Sequence, residues 1–299
     1  MTKIRWTSGI LAQKQREYTT MRVPLSGRIT SEQMEKMADI AERDGKGIVL
    51  LTIRKSIEIP WIKYDQSLKV QRELQQAKME IGSCGRSVRT VVRCASTGRC
   101  PFEVIDVERK YQEITDRYYG KSTPTKFKTS VSGCANACAN PYINDFGIVG
   151  KAHPKIDFSK CDKCYKCVDA CKGGVFATED GIPEVEGAIT QEAITIGEDG
   201  MPRIDYDKCI DCGWCISNCP PGALGAERVG YGIYVGGRGG RYPKFAHEVA
   251  RFVSEGELFR ILEGTIEYFR KFAEGRERLV LVLERLGIEH YKEHVLKED

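Results

Sequence analysis

Two runs of cysteine carry the plainest chemistry in the chain. Cys161, Cys164, Cys167 and Cys171 follow a C-x2-C-x2-C-x3-C pattern, and Cys209, Cys212, Cys215 and Cys219 repeat it. Three thiolates so close together grip three corners of an iron–sulfur cubane, and the fourth corner comes from the other run. One [4Fe–4S] cluster is therefore expected on Cys161, Cys164, Cys167 and Cys219, and a second on Cys209, Cys212, Cys215 and Cys171. Pro220 follows the second run, whereas Lys172 follows the first, so a different turn is expected there. The alternative of zinc on paired C-x2-C units needs only four ligands per site and has no use for this rhythm. Disulfides suit short secreted chains, not 13 cysteines spread over 299 residues.

Four more cysteines lie upstream as Cys94 and Cys100 (C-x5-C), then Cys134 and Cys138 (C-x3-C). Two separated pairs close one cubane if the fold joins their loops; otherwise they are small buried hydrophobes. Cys84 is the odd thiol and is expected to be buried or spare. His153, His247, His290 and His294 match no ligand motif.

The ferredoxin-type segment resembles a bacterial two-[4Fe–4S] ferredoxin. The upstream quartet is similar to the sirohaem–[4Fe–4S] site of the sulfite and nitrite reductase family, on the strength of 18-YTTMRVP, 52-TIRKSIEIP, 126-KFKTSVSGC and the Cys134–Cys138 loop that includes Asn136. The resemblance spans the chain except its extreme N-terminus and the tail beyond about Ala250. It implies that Cys138 bridges a cluster iron and the sirohaem iron, giving one sirohaem and three [4Fe–4S] clusters. It also implies that Arg22, Arg89, Lys126 and Lys128 bind sulfite. In an extended K-x-K segment both lysines share a face, although an ordinary solvated basic strand would look the same. Because sirohaem carries many carboxylates, Arg54, Lys55, Arg86, Arg93, Arg99, Arg238, Arg241 and Lys244 become candidate contacts. Arg93 stands where relatives carry a small residue.

The order of parts looks like the catalytic subunit of anaerobic sulfite reductases, with a ferredoxin domain inserted before the closing 236-GGRGGRYPK segment. The implied reaction is six-electron reduction of sulfite to sulfide. Nitrite reduction and a non-catalytic electron carrier are the alternatives. The chain has no GxGxxG or flavin motif, so a ferredoxin, iron–sulfur subunit or flavoprotein must supply electrons. A single half-unit is expected to oligomerise by analogy with paired repeats.

These residues need a scaffold, and the composition allows one. The chain is 41% hydrophobic with a net charge of +4, enough for a substantial core and without a general polyanion-binding signal. It contains no apolar run of about eighteen residues, and residues 1–18 are polar, so neither membrane span nor secretory signal is expected and the cytoplasm is the default. The expected class is α+β. Residues 1–80 form a ferredoxin-like α/β half-unit, 81–155 and 225–299 a sirohaem-binding α/β domain, and 156–224 the insert. Strands are expected at Thr19–Pro24, Ile48–Ile53 and Ile57–Ile62. Helices are expected after an N-cap at Ser31 and over Ser67–Met79. Little helix is expected from Gly82 to Gly150. Turns are expected at Asp180-Gly181 and Asp199-Gly200, and the tail from Lys244 is expected to be helical, with Phe245, Val249, Phe252 and Val253 on one stripe.

Overall fold

The computed structural model describes residues 9–25, 28–79, 81–82, 85–96, 98–173, 175–176, 185–186 and 192–297. Cys84 and the 180–181 turn lie outside them.

The first unit comprises β1 (Ile10–Ala12), β2 (Tyr18–Pro24), α1 (Ser31–Asp44), β3 (Leu50–Leu51), β4 (Ser56–Lys63) and α2 (Ser67–Gln76). Its antiparallel sheet has the order β1-β2-β4-β3. Met21, Val23, Ile57, Ile59 and Ile62 meet Met37, Ile40, Val70 and Leu74 of the two helices in one core. Thr30, not Ser31, caps α1. Its hydroxyl accepts from Gln33 N–H (3.1 Å) while the Gln33 side chain accepts from Thr30 N–H (3.2 Å), a complete capping box whose N-cap lies one residue upstream of the expected one. The expected Ile48–Ile53 strand shrinks to two paired residues. Leu51 and Ile53 are 81% and 95% exposed, so no apolar burial extends it.

The chain continues through β5 (Val92–Arg93), α3 (Val107–Tyr118), β6 (Thr129–Ser132) and β7 (Phe146–Ile156). The α3 helix, twelve residues long, corrects the expectation of little helix in this stretch. Asp106 caps it (2.9 Å to Arg109 N–H), and Val107, Tyr111, Ile114 and Tyr118 bury one face. The helical periodicity is there in the sequence, but glycine and cysteine on either side obscure it.

The next segment holds α4 (Lys166–Cys171), β8 (Val175–Phe176), β9 (Val185–Glu186), β10 (Ile194–Ile196), β11 (Pro202–Ile204) and α5 (Trp214–Ser217). β12 (Leu224–Val235) follows, then β13 (His247–Val253), α6 (Glu255–Phe272), α7 (Leu279–Leu286) and α8 (Ile288–Val295). A five-stranded sheet runs β13-β12-β7-β6-β5, parallel from β5 to β7 and antiparallel beyond. Leu224 pairs with Ile156 at the far end of the β7–β12 ladder, so the intervening segment leaves and rejoins the sheet at one point. That segment has its own small core of Val168, Ile194 and Leu224 among cysteines.

The tail differs from expectation. Residues 247–253 form a strand because β12 offers an unpaired edge, with Tyr234 opposite Glu248 and Tyr231 opposite Val253. Phe245 lies 78% exposed, off any stripe. Helix begins only at the Ser254–Glu257 capping box. Among the described residues no helix is long and apolar enough to cross a membrane.

Candidate active site and thiol-lined cavities

Five cations from four parts of the chain line one cavity of about 370 Å³: Arg22 on β2, Arg54 in the β3–β4 turn, Arg89 ahead of β5, and Lys126 and Lys128 ahead of β6. Thr52, Ile53, Ser56 and Thr90 complete its wall, and among the described residues no carboxylate belongs to it. Lys126 and Lys128 flank Phe127, which is fully buried, so alternation turns both lysines to the cavity side. Arg89 is held level with them by its N–H on the Phe127 carbonyl (2.8 Å). Arg54 donates to Asn144 Oδ1 (3.1 Å) and to the Thr90 carbonyl (2.9 Å). Arg22 faces Glu58 across the β2–β4 ladder, with contacts of 2.5 and 2.7 Å.

Crowding of like charges shows in the ionisation of these groups. Burial, reinforced by Arg54, Arg278 and Lys126, brings Lys128 down to about 8. Burial also lowers Lys126, with help from Arg278 and Arg89, and brings Arg54 down to about 10. Beneath the cavity, the fully buried Asp145 accepts from Lys128 N–H (2.9 Å) and binds Arg278 at 2.7 and 2.9 Å. Sequence reasoning missed both Asp145 and Arg278. They are 133 residues apart, and neither sits in a motif.

At the other end of the β5–β6 pair lies a second cavity, of about 260 Å³, lined by Cys94, Cys100, Cys134 and Cys138 together with Arg99, Glu103 and Asn136. The parallel pairing Val92–Ser130 and Arg93–Val131 ends both strands side by side and delivers Cys94 and Cys134 to one lip. Gly133 sits between. Its N–H donates to Cys94 Sγ (3.3 Å), and a Cβ there would stand 3.1 Å from Val107 of α3. Ala137 and Asn140 hold left-handed φ values of 54° and 52° around Cys138, a conformation that re-aims a tight loop. Cys94 and Cys134 are buried, whereas Cys138 is exposed. Four thiols around a void suit a cubane, and the one outward-facing thiol suits a shared bond to a second iron. Burial pushes Cys134 up to about 12, so it is a neutral thiol until metal displaces its proton.

The two ferredoxin-type runs interleave. One void is lined by Cys171, Cys209, Cys212 and Cys215, and another by Cys161, Cys164, Cys167 and Cys219. Backbone N–H groups of Ala193 and Leu224 donate to Cys171 Sγ (3.1 Å) and Cys219 Sγ (3.2 Å). Burial raises Cys167 and Cys209 to about 11. Lys172 N–H donates to the Val168 and Asp169 carbonyls (3.1 and 3.0 Å), bonds that a proline could not make.

Other candidate cations lie elsewhere. Arg99 and Asn136 belong to the wall of the upstream thiol cavity. Arg93, 1% exposed, pairs with Glu108 (2.5 Å) over the Tyr111 ring and lines neither cavity. Lys55 occupies a left-handed turn, Arg86 is exposed, and Arg238, Arg241 and Lys244 sit on the β12–β13 connection, with Lys244 paired to Glu284 (3.0 Å). His153 stacks on Tyr206 and bonds Asp211, and His290 meets Tyr268.

Comparison with known proteins gives a consistent picture. Residues 11–77 match the nitrite/sulfite reductase ferredoxin-like half domain, and residues 84–299 match the nitrite and sulphite reductase 4Fe-4S domain. The second match carries the likeness through the tail beyond Ala250, past the limit that the motifs alone set. A "Coenzyme F420-dependent sulfite reductase" of Methanocaldococcus jannaschii is 32% identical over 288 residues, 94% of this chain and 43% of that protein. One of the subunits of the anaerobic sulfite reductase of Salmonella typhimurium is 28% identical over 166 residues, 51% of this chain and 48% of that one. The chain thus covers less than half the length of either relative. The crystal structure of dissimilatory sulfite reductase I superposes with a TM-score of 0.77 over 99% of this chain and 75% of that one, at 22% identity, a likeness of fold.

Proposed function

Because the chain belongs to the nitrite and sulphite reductase family, we propose that it is a sulfite reductase subunit that converts sulfite to sulfide with six electrons. The observation that carries this reading is the convergence of Arg22, Arg54, Arg89, Lys126 and Lys128 on a cavity with no carboxylate among the described residues of its wall. Like charges packed this closely are costly until an anion enters, and preorganised donors stabilise charge that develops on it. Arginine offers a fork of donors for oxyanion oxygens, although one edge of the Arg22 fork already meets Glu58. Lys128, held at about 8, is protonated at neutral pH and close enough to its working range to give a proton as each oxygen leaves as water. Sirohaem, when bound, supplies the iron that holds the anion's sulfur and conducts electrons to it.

The remaining assignments follow on this reading. Cys94, Cys100, Cys134 and Cys138 would hold the [4Fe–4S] cluster, and Cys138 would be the thiolate facing sirohaem; its exposure beside three less exposed thiols supports this. The two interleaved thiol sets would hold two further [4Fe–4S] clusters in an inserted ferredoxin unit, where a separate donor protein in the cytoplasm would deliver electrons. Arg99 and Asn136 remain candidates for contact with the prosthetic groups. Exposed Leu51 and Ile53 near the cavity suit burial against a further half-unit.

Anaerobic purification with iron, sirohaem and absorbance analysis tests the reading. About thirteen irons per chain and a sulfite-induced band shift are expected. Absence of tetrapyrrole from intact, oxygen-protected protein would leave an electron carrier, and a higher kcat/KM for nitrite than for sulfite would make the chain a nitrite reductase.

A further inference from the structure

The two ferredoxin-type voids differ in what surrounds them. Gly213 and Trp214 stand in the wall of the void formed by Cys171, Cys209, Cys212 and Cys215. Trp214 is buried, and its ring lies 4.2 Å from that of Phe102, centroid to centroid, at an interplanar angle of 40°. Phe102 is two residues past Cys100, on the loop that closes the upstream thiol cavity. That loop is fixed: Glu103 N–H donates to the Cys100 carbonyl (3.1 Å) and Val104 N–H to the Gly133 carbonyl (3.0 Å). A Cβ on Gly213 would meet Ala152 Cβ at 3.1 Å and Val104 Cγ2 at 3.4 Å, so the second run lies directly on this loop.

The Cys209–Cys212 turn is also fastened to the five-stranded sheet. The Asp211 carbonyl accepts from Ala152 N–H (2.8 Å), and its carboxylate binds His153 (2.8 Å) and Arg251 (3.3 Å). Lys151 Nζ donates to the Ile210 carbonyl (3.1 Å). The void of Cys161, Cys164, Cys167 and Cys219 is walled by residues such as Ile156, Tyr165, Pro221 and Leu224. Among the described residues none of its wall comes from the 94–138 segment. Its Cys164 is exposed.

We propose that the two ferredoxin-type sites work in a fixed order set by this packing. The Cys161/Cys164/Cys167/Cys219 site is outer and meets the donor protein; the Cys171/Cys209/Cys212/Cys215 site is inner and passes electrons across the Trp214–Phe102 contact to the Cys94/Cys100/Cys134/Cys138 site. This order rests on the functional reading above. Each passage moves one electron and no atoms. The donor, a one-electron iron–sulfur protein, is oxidised by one electron, each site is reduced and reoxidised in turn, and six passages serve one sulfite. Electron tunnelling weakens steeply with distance and more steeply through gaps than through packed matter, and the Trp214–Phe102 ring contact is packed matter between the two sites. Trp214 and Phe102 are positioning residues, because they hold two cluster loops together without ligating iron.

The test uses the fully loaded chain under anaerobic conditions, with a reduced [2Fe–2S] ferredoxin as donor and rapid-freeze EPR as readout. In Phe102→Leu and Trp214→Leu the ferredoxin-type sites should fill at the wild-type rate, while reduction of the Cys94 site slows severalfold or more. Trp214→Phe, which keeps a ring at the contact, should stay near wild type. The midpoint potentials of all three sites should not move, which separates a broken path from a disturbed cluster. If Trp214→Leu sheds iron, Phe102→Leu decides alone. Wild-type filling of the Cys94 site in iron-replete Phe102→Leu would overturn the order. A chain with three clusters but no tetrapyrrole would sink the sulfite reading, and the same EPR signals would still decide the relay.

Discussion

The cation cavity and the thiol-lined voids are assembled on opposite plans. Eight of the thiols come from two runs of eleven residues each, Cys161–Cys171 and Cys209–Cys219, and the fold has only to lay one run on the other. The five cations come from positions 22, 54, 89, 126 and 128, and only the docking of the first unit against the start of β5 and β6 collects them. Their electrostatics differ as well. Buried thiols relax to the neutral form, as Cys134 does at about 12. Burial, with repulsion from neighbouring cations added, brings Lys128 down to about 8. Burial thus keeps the Cys134, Cys167 and Cys209 thiols uncharged, whereas the cations of the other cavity repel one another until an anion enters.

The largest effect should come from Cys138→Ser. If the exposed thiol joins the two groups of the active site, sulfite turnover should drop to background while the EPR signals of the two ferredoxin-type clusters persist. Turnover near wild type would dissolve the distinction between this thiol and the other three. Next in size is Lys128→Met, which keeps most of the stem and removes the charge. Loss of a preorganised donor is expected to cost about 10²–10³-fold in kcat/KM. The thermal midpoint of the unliganded protein should stay level or rise, because a repelled charge has gone. A lower midpoint would show that Lys128 supports the fold, which contradicts the contrast with the voids.

The pH profile sharpens the same contrast with a smaller effect. Burial and neighbouring cations lower Lys128, and anion binding favours its protonated form, so the lysine's share of the affinity is present below pH about 8 and is lost as pH rises through that value. The loss approaches about tenfold per pH unit if one proton governs it. A bound dianion pulls the lysine back up, so the falling limb of kcat should lie at higher pH than that of kcat/KM. Steady-state assays across the range from about pH 6 to about pH 10 would show both limbs, and Lys128→Met should erase both.

The same contrast explains how much was legible in the sequence. The thiol quartets follow short-range spacings, so the pattern names their members before any fold is known. The K-x-K alternation around Phe127 is equally local. Arg22 and Arg89 come from resemblance, because nothing near them in sequence marks a cavity. Arg54 was expected at the prosthetic group, yet its side chain lines the same wall as the lysines. Asp145 and Arg278 were invisible, since a buried ion pair across 133 residues exists only after packing. Among the elements, the misreadings fall where local pattern and tertiary demand part. Residues 247–253 have a helix-like stripe but are recruited as a strand by the free edge of β12.

The smallest predicted effect is the most discriminating for the cavity itself. Arg22 has a carboxylate opposite it on the neighbouring strand, and Glu58 Oε1 takes both its Nη2 and its Nε. A charge answered at hydrogen-bond distance pulls less on an incoming dianion than the same charge unanswered. Glu58→Gln keeps the shape and an acceptor for Arg22 but removes the opposing charge, so sulfite should bind more tightly. Because Arg22 is partly exposed, the gain should be modest, about three- to fivefold, as for solvent-screened pairs. Isothermal titration with the oxidised, sirohaem-loaded protein measures it directly. If the tighter complex also releases sulfide more slowly, kcat and KM should fall together. Unchanged or weaker binding would mean that Arg22 clamps β2 to β4 and attracts no anion, which leaves Arg54, Arg89, Lys126 and Lys128 to carry the whole attraction.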